Sequence, residues 1–205
     1  MVTATTVVLA SQNPKKSAEL QGLLQPLGWQ VRPLSDFTRD SPVEDAPTFV
    51  ENTLIKARHA ARVSGLPAIA DDSGLEVQAL RGAPGVHSAR YAGQPSDDIA
   101  NNRKLLDALL GMAASRRQAR FVCALVYLRH ADDPVPVMAV GTWPGVILDA
   151  PRGAGGFGYD PLFWVPELQR SAAELTPEEK ARVSHRGRAL RSLVRQLQHD
   201  RILSS

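Results

Sequence analysis

Thr6-Val7-Val8-Leu9-Ala10, running directly into Ser11-Gln12-Asn13-Pro14-Lys15-Lys16-Ser17-Ala18-Glu19-Leu20, is the stretch that decides the architecture. Its first half is apolar or β-branched throughout and reads as a buried strand. Asn13-Pro14 reads as a helix start, with Asn as N-cap and Pro at the first helical position. Leu20, Leu23, Leu24 and Leu27 then recur at i, i+3, i+4 and i+7, which gives the helix an apolar stripe to pack on a core, and Gly28 ends it. A second strand follows near Trp29 to Pro33. Strand, helix and strand in that order open an α/β fold.

Further along, an acidic, Pro-containing loop from Asp40 to Pro47 leads to Thr48 and Glu51, which have the spacing of a capping box. They predict a helix to about Ser64, stopped by Gly65 and Pro67, with Asn52, Lys56 and His59 on one face. Ala68-Ile69-Ala70 is predicted as a short strand that delivers Asp71-Asp72-Ser73-Gly74 at its C-terminal end, and Gly82 to Gly93 as a turn-rich loop. Ser96 is expected to cap a helix with Leu105, Leu106, Leu109 and Leu110 on its buried side. Ala119 to Leu128 and Val135 to Trp143 read as central strands, apolar on both faces, with Asp132-Asp133-Pro134 turning between them and Val146 to Leu148 continuing the pattern. Thr176-Pro177-Glu178-Glu179 opens a further helix, and Leu190, Leu193, Val194 and Leu197 stripe a last one. No repeat or long linker divides the chain, so the expectation is a single domain over 1–205, α/β with a mixed sheet.

The 205 residues are 43% hydrophobic, 22% charged and 5% aromatic. That composition excludes collagen-like, disordered and disulfide-stapled classes. A core at this length buries about 70% of the surface of the unfolded chain, so no metal or disulfide is needed for folding. The longest apolar run, Phe121 to Leu128, falls far short of the roughly 18 residues of a transmembrane helix. Met1 to Ala10 has no basic residue ahead of its apolar stretch, which argues against a secretory signal and makes the cytoplasm the expectation. Cys123, the lone cysteine, lies inside the apolar run and reads as buried and inert. Lys plus Arg exceed Asp plus Glu by 24 to 21. The excess gathers at Lys180, Arg182, Arg186, Arg188, Arg191, Arg195 and Arg201, a cluster that reads either as a polyanion contact or as a solvated helix face.

Several segments carry chemistry. At Ser11 to Lys16 the free N–H groups of a helix start and the Lys16 cation sketch a phosphate site, against which stands an ordinary capped helix. It is not a Walker A loop, because the glycine frame before Lys16-Ser17 is missing. Asp71-Asp72-Ser73-Gly74 reads equally as a turn and as a carboxylate site for a hard cation or a water to be deprotonated. Glu44 could join Asp72 in an oxygen-rich Mg²⁺ site. The scattered histidines and single cysteine cannot make a zinc nest. Gly153-Ala154-Gly155-Gly156-Phe157-Gly158 spells G-x-G-x-x-G, but Tyr159-Asp160-Pro161 follows where a dinucleotide fold needs a helix. These glycines suit a loop closing over a flat ligand, with Phe157 and Tyr159 offering aromatic faces or else packing in the core. Ser184 can cap the last helix, leaving His185 and Arg186 in its first turn, where cations oppose the dipole.

Taken together, LASQNPKKSAEL (Leu9 to Leu20), TFVENTLIKARHAA (Thr48 to Ala61), ADDSGLEVQAL (Ala70 to Leu80), GAPGVHSARYAG (Gly82 to Gly93), GGFGYDPLF (Gly155 to Phe163) and SHRGRAL (Ser184 to Leu190) resemble the inosine triphosphate pyrophosphatase, or Ham1, family. The resemblance covers almost the whole chain, and six ordered motifs are highly specific. It implies an elongated mixed β-sheet flanked by helices, two lobes with a central cleft, and a two-fold homodimer. It also implies Mg²⁺-dependent hydrolysis of ITP, dITP and XTP to the monophosphate and pyrophosphate.

On that resemblance the phosphate stretch falls on Ser11, Gln12, Asn13, Pro14, Lys15 and Lys16, with Lys56 as the helix lysine. Asp72 matches the catalytic aspartate, proton acceptor and metal ligand, Glu44 the second metal ligand, and Ser73 a substrate contact. Phe157, Gly158, Tyr159 and Asp160 match the base-binding loop, and Lys180, His185 and Arg186 the remaining substrate contacts. Gln12 and Lys15 stand where the commoner bacterial motif T-G-N-x-G-K has glycines. Two rival readings are a Maf-like pyrophosphatase of modified nucleotides and a nucleic-acid-binding module using the basic C-terminal helix. Neither accounts for all six segments, so purine nucleoside triphosphates are the expected partners, with no stable nucleic acid and no membrane.

Overall fold

The computed structural model describes residues 5–11 and 14–203, with the side chains of 14, 15 and 200–203 outside the description. Among the described residues seven strands form one sheet: β1 (Thr5–Leu9), β2 (Trp29–Pro33), β3 (Ala68–Val77), β4 (Gln118–Leu128), β5 (Val137–Ile147), β6 (Phe163–Val165) and β7 (Arg170–Ser171), in the order β2-β1-β3-β4-β5-β6-β7. The sheet is mixed. β1 is parallel to β2 and β3, with Val7 beside Val31 and Leu9 beside Ile69, whereas β5, β6 and β7 run antiparallel. The helices are α1 (Pro14–Leu24), α2 (Phe49–Ser64), α3 (Asp98–Ala108), α4 (Pro177–Val183) and α5 (His185–Leu203). No helix among the described residues is long and apolar enough to cross a membrane.

The chain resolves into two compact units: one comprises the residues up to Asp72, Cys123–Gly141 and those from Ala189 onward, the other Ser73–Val122 and Thr142–Arg188. In the first, strand alternation sends Val7, Leu9 and Ile69 into a core with Leu20 and Leu24 of α1 and Leu190, Leu193 and Leu197 of α5. The intervening residues Val8, Ala68 and Ala70 turn to α2, where they meet Ala57, Ala60 and Ala61. That seam is made of small side chains, so helix and strand approach closely. One half of the predicted capping box forms: Thr48 Oγ1 accepts from Glu51 N–H at 3.2 Å, while the Glu51 carboxylate accepts from the Thr48 hydroxyl at 2.6 Å, and Gly65 closes α2 at φ 67°. In the second unit Phe121, Trp143 and Phe163 pack as an aromatic cluster with Leu75, Val77, Leu105 and Leu109.

Four expectations are corrected. Asp71-Asp72-Ser73-Gly74 is not a turn after a short strand; β3 runs on to Val77, because Leu75 and Val77 extend the buried pattern beyond the polar residues. The cap of α3 is Asp97, whose carboxylate accepts from Ile99 N–H at 2.8 Å and Ala100 N–H at 3.1 Å, while Ser96 donates instead to the Ala89 carbonyl. α3 ends at Ala108, which turns Leu110 out to solvent. β5 is buried on one face only, with Met138 and Val140 exposed, and it continues through Pro144 to Ile147 without a break. Cys123 is buried as expected.

Candidate active site

In the first unit the close α2–β3 seam lets one lysine reach two carboxylates. Lys56 Nζ donates to Asp72 Oδ1 at 3.1 Å and lies 2.7 Å from Glu44 Oε2. Burial by itself lowers the Lys56 pKa, but the Asp72 and Glu44 carboxylates outweigh it, and the net displacement is upward. The ammonium is therefore charged throughout the neutral range. Asn52, one turn before Lys56 on the same face, pins the acidic loop. Its amide oxygen accepts from Ala46 N–H at 3.0 Å and its amide nitrogen donates to the Ala46 carbonyl at 3.1 Å. Glu44, two residues earlier, is thereby brought to the helix.

Asp71 forms a second ion pair. It is 4% exposed and accepts from Lys16 Nζ of α1 at 2.7 Å. The pair Asp71 and Asp72 thus gathers Lys16 and Lys56, one lysine each, at the polar middle of β3. Ser11 stands two residues beyond the end of β1, its N–H donating to the Leu9 carbonyl at 2.7 Å. Gln12 and Asn13 lie outside the described residues, and Pro14 and Lys15 are described only as the backbone of the first turn of α1.

Glu44 and Asp72 both pair with the Lys56 ammonium, which makes them the two carboxylates here that could hold a divalent cation. Two hard oxygen ligands, with the other positions left to water and phosphate oxygens, suit Mg²⁺. Among the described residues no three His, Cys, Asp or Glu side chains come together as a ready-made cage.

In the second unit the glycine-rich loop presents one aromatic ring and buries another. Asp160 is 2% exposed; its Oδ2 accepts from Phe157 N–H at 2.9 Å and also from the Lys180 ammonium. Lys180 Nζ in turn lies 4.6 Å from the centroid of the Phe157 ring, which is 77% exposed. Of the two readings open for Tyr159, an offered face or core packing, the structure shows the second. Its ring packs in the core, its hydroxyl donates to the Ser88 carbonyl at 2.9 Å, and burial pushes the phenol pKa upward. The hydroxyl's bond to Ser88 gives the buried ring a partner for its polar end, which Phe157, 77% exposed in the same loop, does not need.

α5 opens as its cap predicts: Ser184 Oγ accepts from Gly187 N–H at 3.2 Å, which places His185 and Arg186 at the first two helical positions. The His185 ring stacks on Phe121 at 4.8 Å between centroids and 14° between planes, with Trp143 beyond. Ser73 lies on β3, exposed. Sequence reading missed the Asn52 pin, the Lys16–Asp71 pair and the His185 stack. Only the first had a usable signal, the i, i+4 spacing of Asn52 and Lys56.

A family model described as the Ham1 family matches residues 7–196. A dITP/XTP pyrophosphatase of Shigella flexneri is 55% identical over 188 residues, covering 92% of this chain and 95% of that protein. A dITP/XTP pyrophosphatase of Thioalkalivibrio sulfidiphilus is 56% identical over 192 residues, covering 94% and 98%. Among solved structures, a HAM1 protein from Coxiella burnetii matches with a TM-score of 0.91 at 49% identity, over 95% of this chain and 99% of that one.

Proposed function

Because this chain belongs to the Ham1 family, we propose that it hydrolyses nucleoside triphosphates with abnormal purines (ITP, dITP and XTP) to the monophosphate and pyrophosphate, removing them from a cytoplasmic nucleotide pool as a homodimer. The observation that carries the reading is Lys56 held between Asp72 and Glu44, with Lys16 on the adjacent Asp71. Alternating cations and carboxylates of this kind suit a triphosphate and its divalent counter-ion. Mg²⁺, bound by Asp72 and Glu44, supplies neutralisation of phosphate oxygens.

The chain's own residues do the rest. Asp72 accepts the proton of the water that attacks the α-phosphorus; the new P–O bond forms as the bond to the β-phosphate's bridging oxygen breaks, and pyrophosphate leaves. Lys16 and Lys56 stabilise the charge that accumulates on it, joined by backbone N–H groups in the first turn of α1. Phe157 stacks on the base, in a loop with Gly158, Tyr159 and Asp160, beside Lys180, His185 and Arg186, while Ser73 contacts the substrate. The 6-keto group of hypoxanthine or xanthine accepts from Arg186 or a backbone N–H, whereas adenine presents an amino donor there. Such a donor mismatch discriminates by about ten-thousand-fold.

Purified protein assayed on dITP, XTP, ITP, GTP and ATP, with and without Mg²⁺, is the test, with pyrophosphate resolved from orthophosphate. Turnover of the first three to pyrophosphate, dependent on the ion, is the expected result. Orthophosphate as the direct product would overturn the cleavage position.

A further inference from the structure

The exposed Phe157 ring has an unusually constrained backbone next to it. Gly158 N–H donates to Asp98 Oδ2 at 2.7 Å, and the Gly158 carbonyl accepts from Asn102 Nδ2 at 2.8 Å. Asp98 is the first residue of α3 and Asn102 stands one turn later on the same face. The helix therefore grips both polar groups of a single residue whose φ is +61°, fixing the peptide planes on either side of it. On one flank Phe157 N–H is held by Asp160, and on the other Tyr159 is anchored through Ser88. The backbone on the C-terminal side of Phe157 is thus tied down while the ring itself is exposed beside the Lys180 ammonium.

Asn102 also has a feature that structure alone does not require. Its Oδ1 is buried and has no hydrogen-bond partner. An orphaned buried acceptor costs as much as or more than an ordinary hydrogen bond returns. An apolar residue of similar size would serve the packing of α3 at least as well. The one bond that needs an amide here is the bond to Gly158.

We propose that Asp98 and Asn102 are positioning residues for base recognition: the first turn of α3 sets the Gly158 backbone and, through it, the orientation in which Phe157 meets the purine. This rests on the reading of Phe157 as the base contact, and it adds two residues outside every motif that carries the family resemblance. A flat ring rigidly preset for stacking binds without an ordering penalty. Losing the grip therefore weakens substrate binding while the chemistry at Asp72 is unchanged.

The test uses the full chain, with steady-state kinetics on dITP and thermal melting for Asn102→Leu, Asp98→Ala, Asp98→Asn and Phe157→Ala, alone and combined. Asn102→Leu and Asp98→Ala are expected to raise KM about tenfold with kcat within about twofold, a ground-state binding loss. Asp98→Asn, which keeps an acceptor for Gly158, should stay near the parent KM. Asn102→Leu should not lower Tm, and in the Phe157→Ala background it should raise KM no further. An unchanged KM in Asn102→Leu and Asp98→Ala while Phe157→Ala raises it overturns the proposal alone, as does an additive double variant or a KM rise that follows Tm loss across the set. An unchanged KM in Phe157→Ala overturns the base-contact reading, and the positioning role with it.

Discussion

Gly156→Ala is a direct test of how tightly the glycine-rich loop is built. An alanine Cβ there would lie 2.2 Å from Asp160 Oδ2 and 2.9 Å from Asp160 Cβ and Cγ. That is far inside the roughly 3.5–4.0 Å of a comfortable contact between carbon atoms. The carboxylate cannot simply swing aside, because it accepts from Phe157 N–H and Lys180. Displacing it removes charge-assisted hydrogen bonds worth about 1.5–3 kcal/mol. A side chain at φ +75° adds about 1–2 kcal/mol, for a loss of about 2.5–5 kcal/mol.

Gly158→Ala is the control. Its φ is also positive, but an added Cβ meets nothing within 4 Å, so only the backbone term of about 1–2 kcal/mol applies. Differential scanning calorimetry should show Tm lowered by about 10 °C for Gly156→Ala and by about 5 °C or less for Gly158→Ala. Asp160→Ala in the Gly156→Ala background should recover about 1–3 kcal/mol relative to additivity. Equal Tm losses for the two glycine variants, together with an additive double variant, would refute the reasoning.

Three further outcomes are expected. Asp72→Asn should lower kcat by about a hundred- to ten-thousand-fold, the range for a lost acid–base group, with KM for dITP changed only a few-fold; near-normal turnover removes Asp72 from the chemistry. Lys56→Gln should lower kcat by about a hundredfold or more. Since the Lys56 pKa is raised, its charge is present below the ordinary lysine value and is lost only as pH rises through the higher folded one, so no alkaline limb of the parent pH–rate profile below about pH 10 belongs to it. Asp133, in the β4–β5 turn, is buried and held by Arg129 and the Arg129 and Val135 N–H groups, with its pKa driven down chiefly by the Arg129 hydrogen bond. Its stabilisation is complete above the ordinary carboxylate value and fades as pH falls toward the depressed one, so the urea midpoints of the parent and Asp133→Asn should converge below about pH 4.

The parts of this molecule that are written locally were legible. The strand ending at Leu9, the Thr48 cap, the Thr176 box and the Ser184 cap each depend on residues a few positions apart, and each forms as its spacing dictates. Asp71 to Gly74 misled because Asp, Ser and Gly are poor strand formers, and only the packing of Leu75 and Val77 reveals the continuing strand. Ser96 and Asp97 are adjacent cap formers, and tertiary contact with Ala89 takes the first away. The candidate site was legible through resemblance rather than through pattern. Glu44, Lys56 and Asp72 come from a loop, a helix and a strand, and no periodicity links them. Nor could any spacing have joined Asp98 and Asn102 to a loop almost sixty residues onward.

Complete burial of Cys123, the chain's one cysteine, makes the unmodified protein silent toward maleimide and other sulfhydryl reagents under native conditions. A cysteine introduced at an exposed position of the glycine-rich loop such as Ala154 would then take a fluorophore or spin label stoichiometrically, without any need to engineer the background first, and the surroundings of that loop could be followed by spectroscopy with Phe157 and the carboxylates left in place.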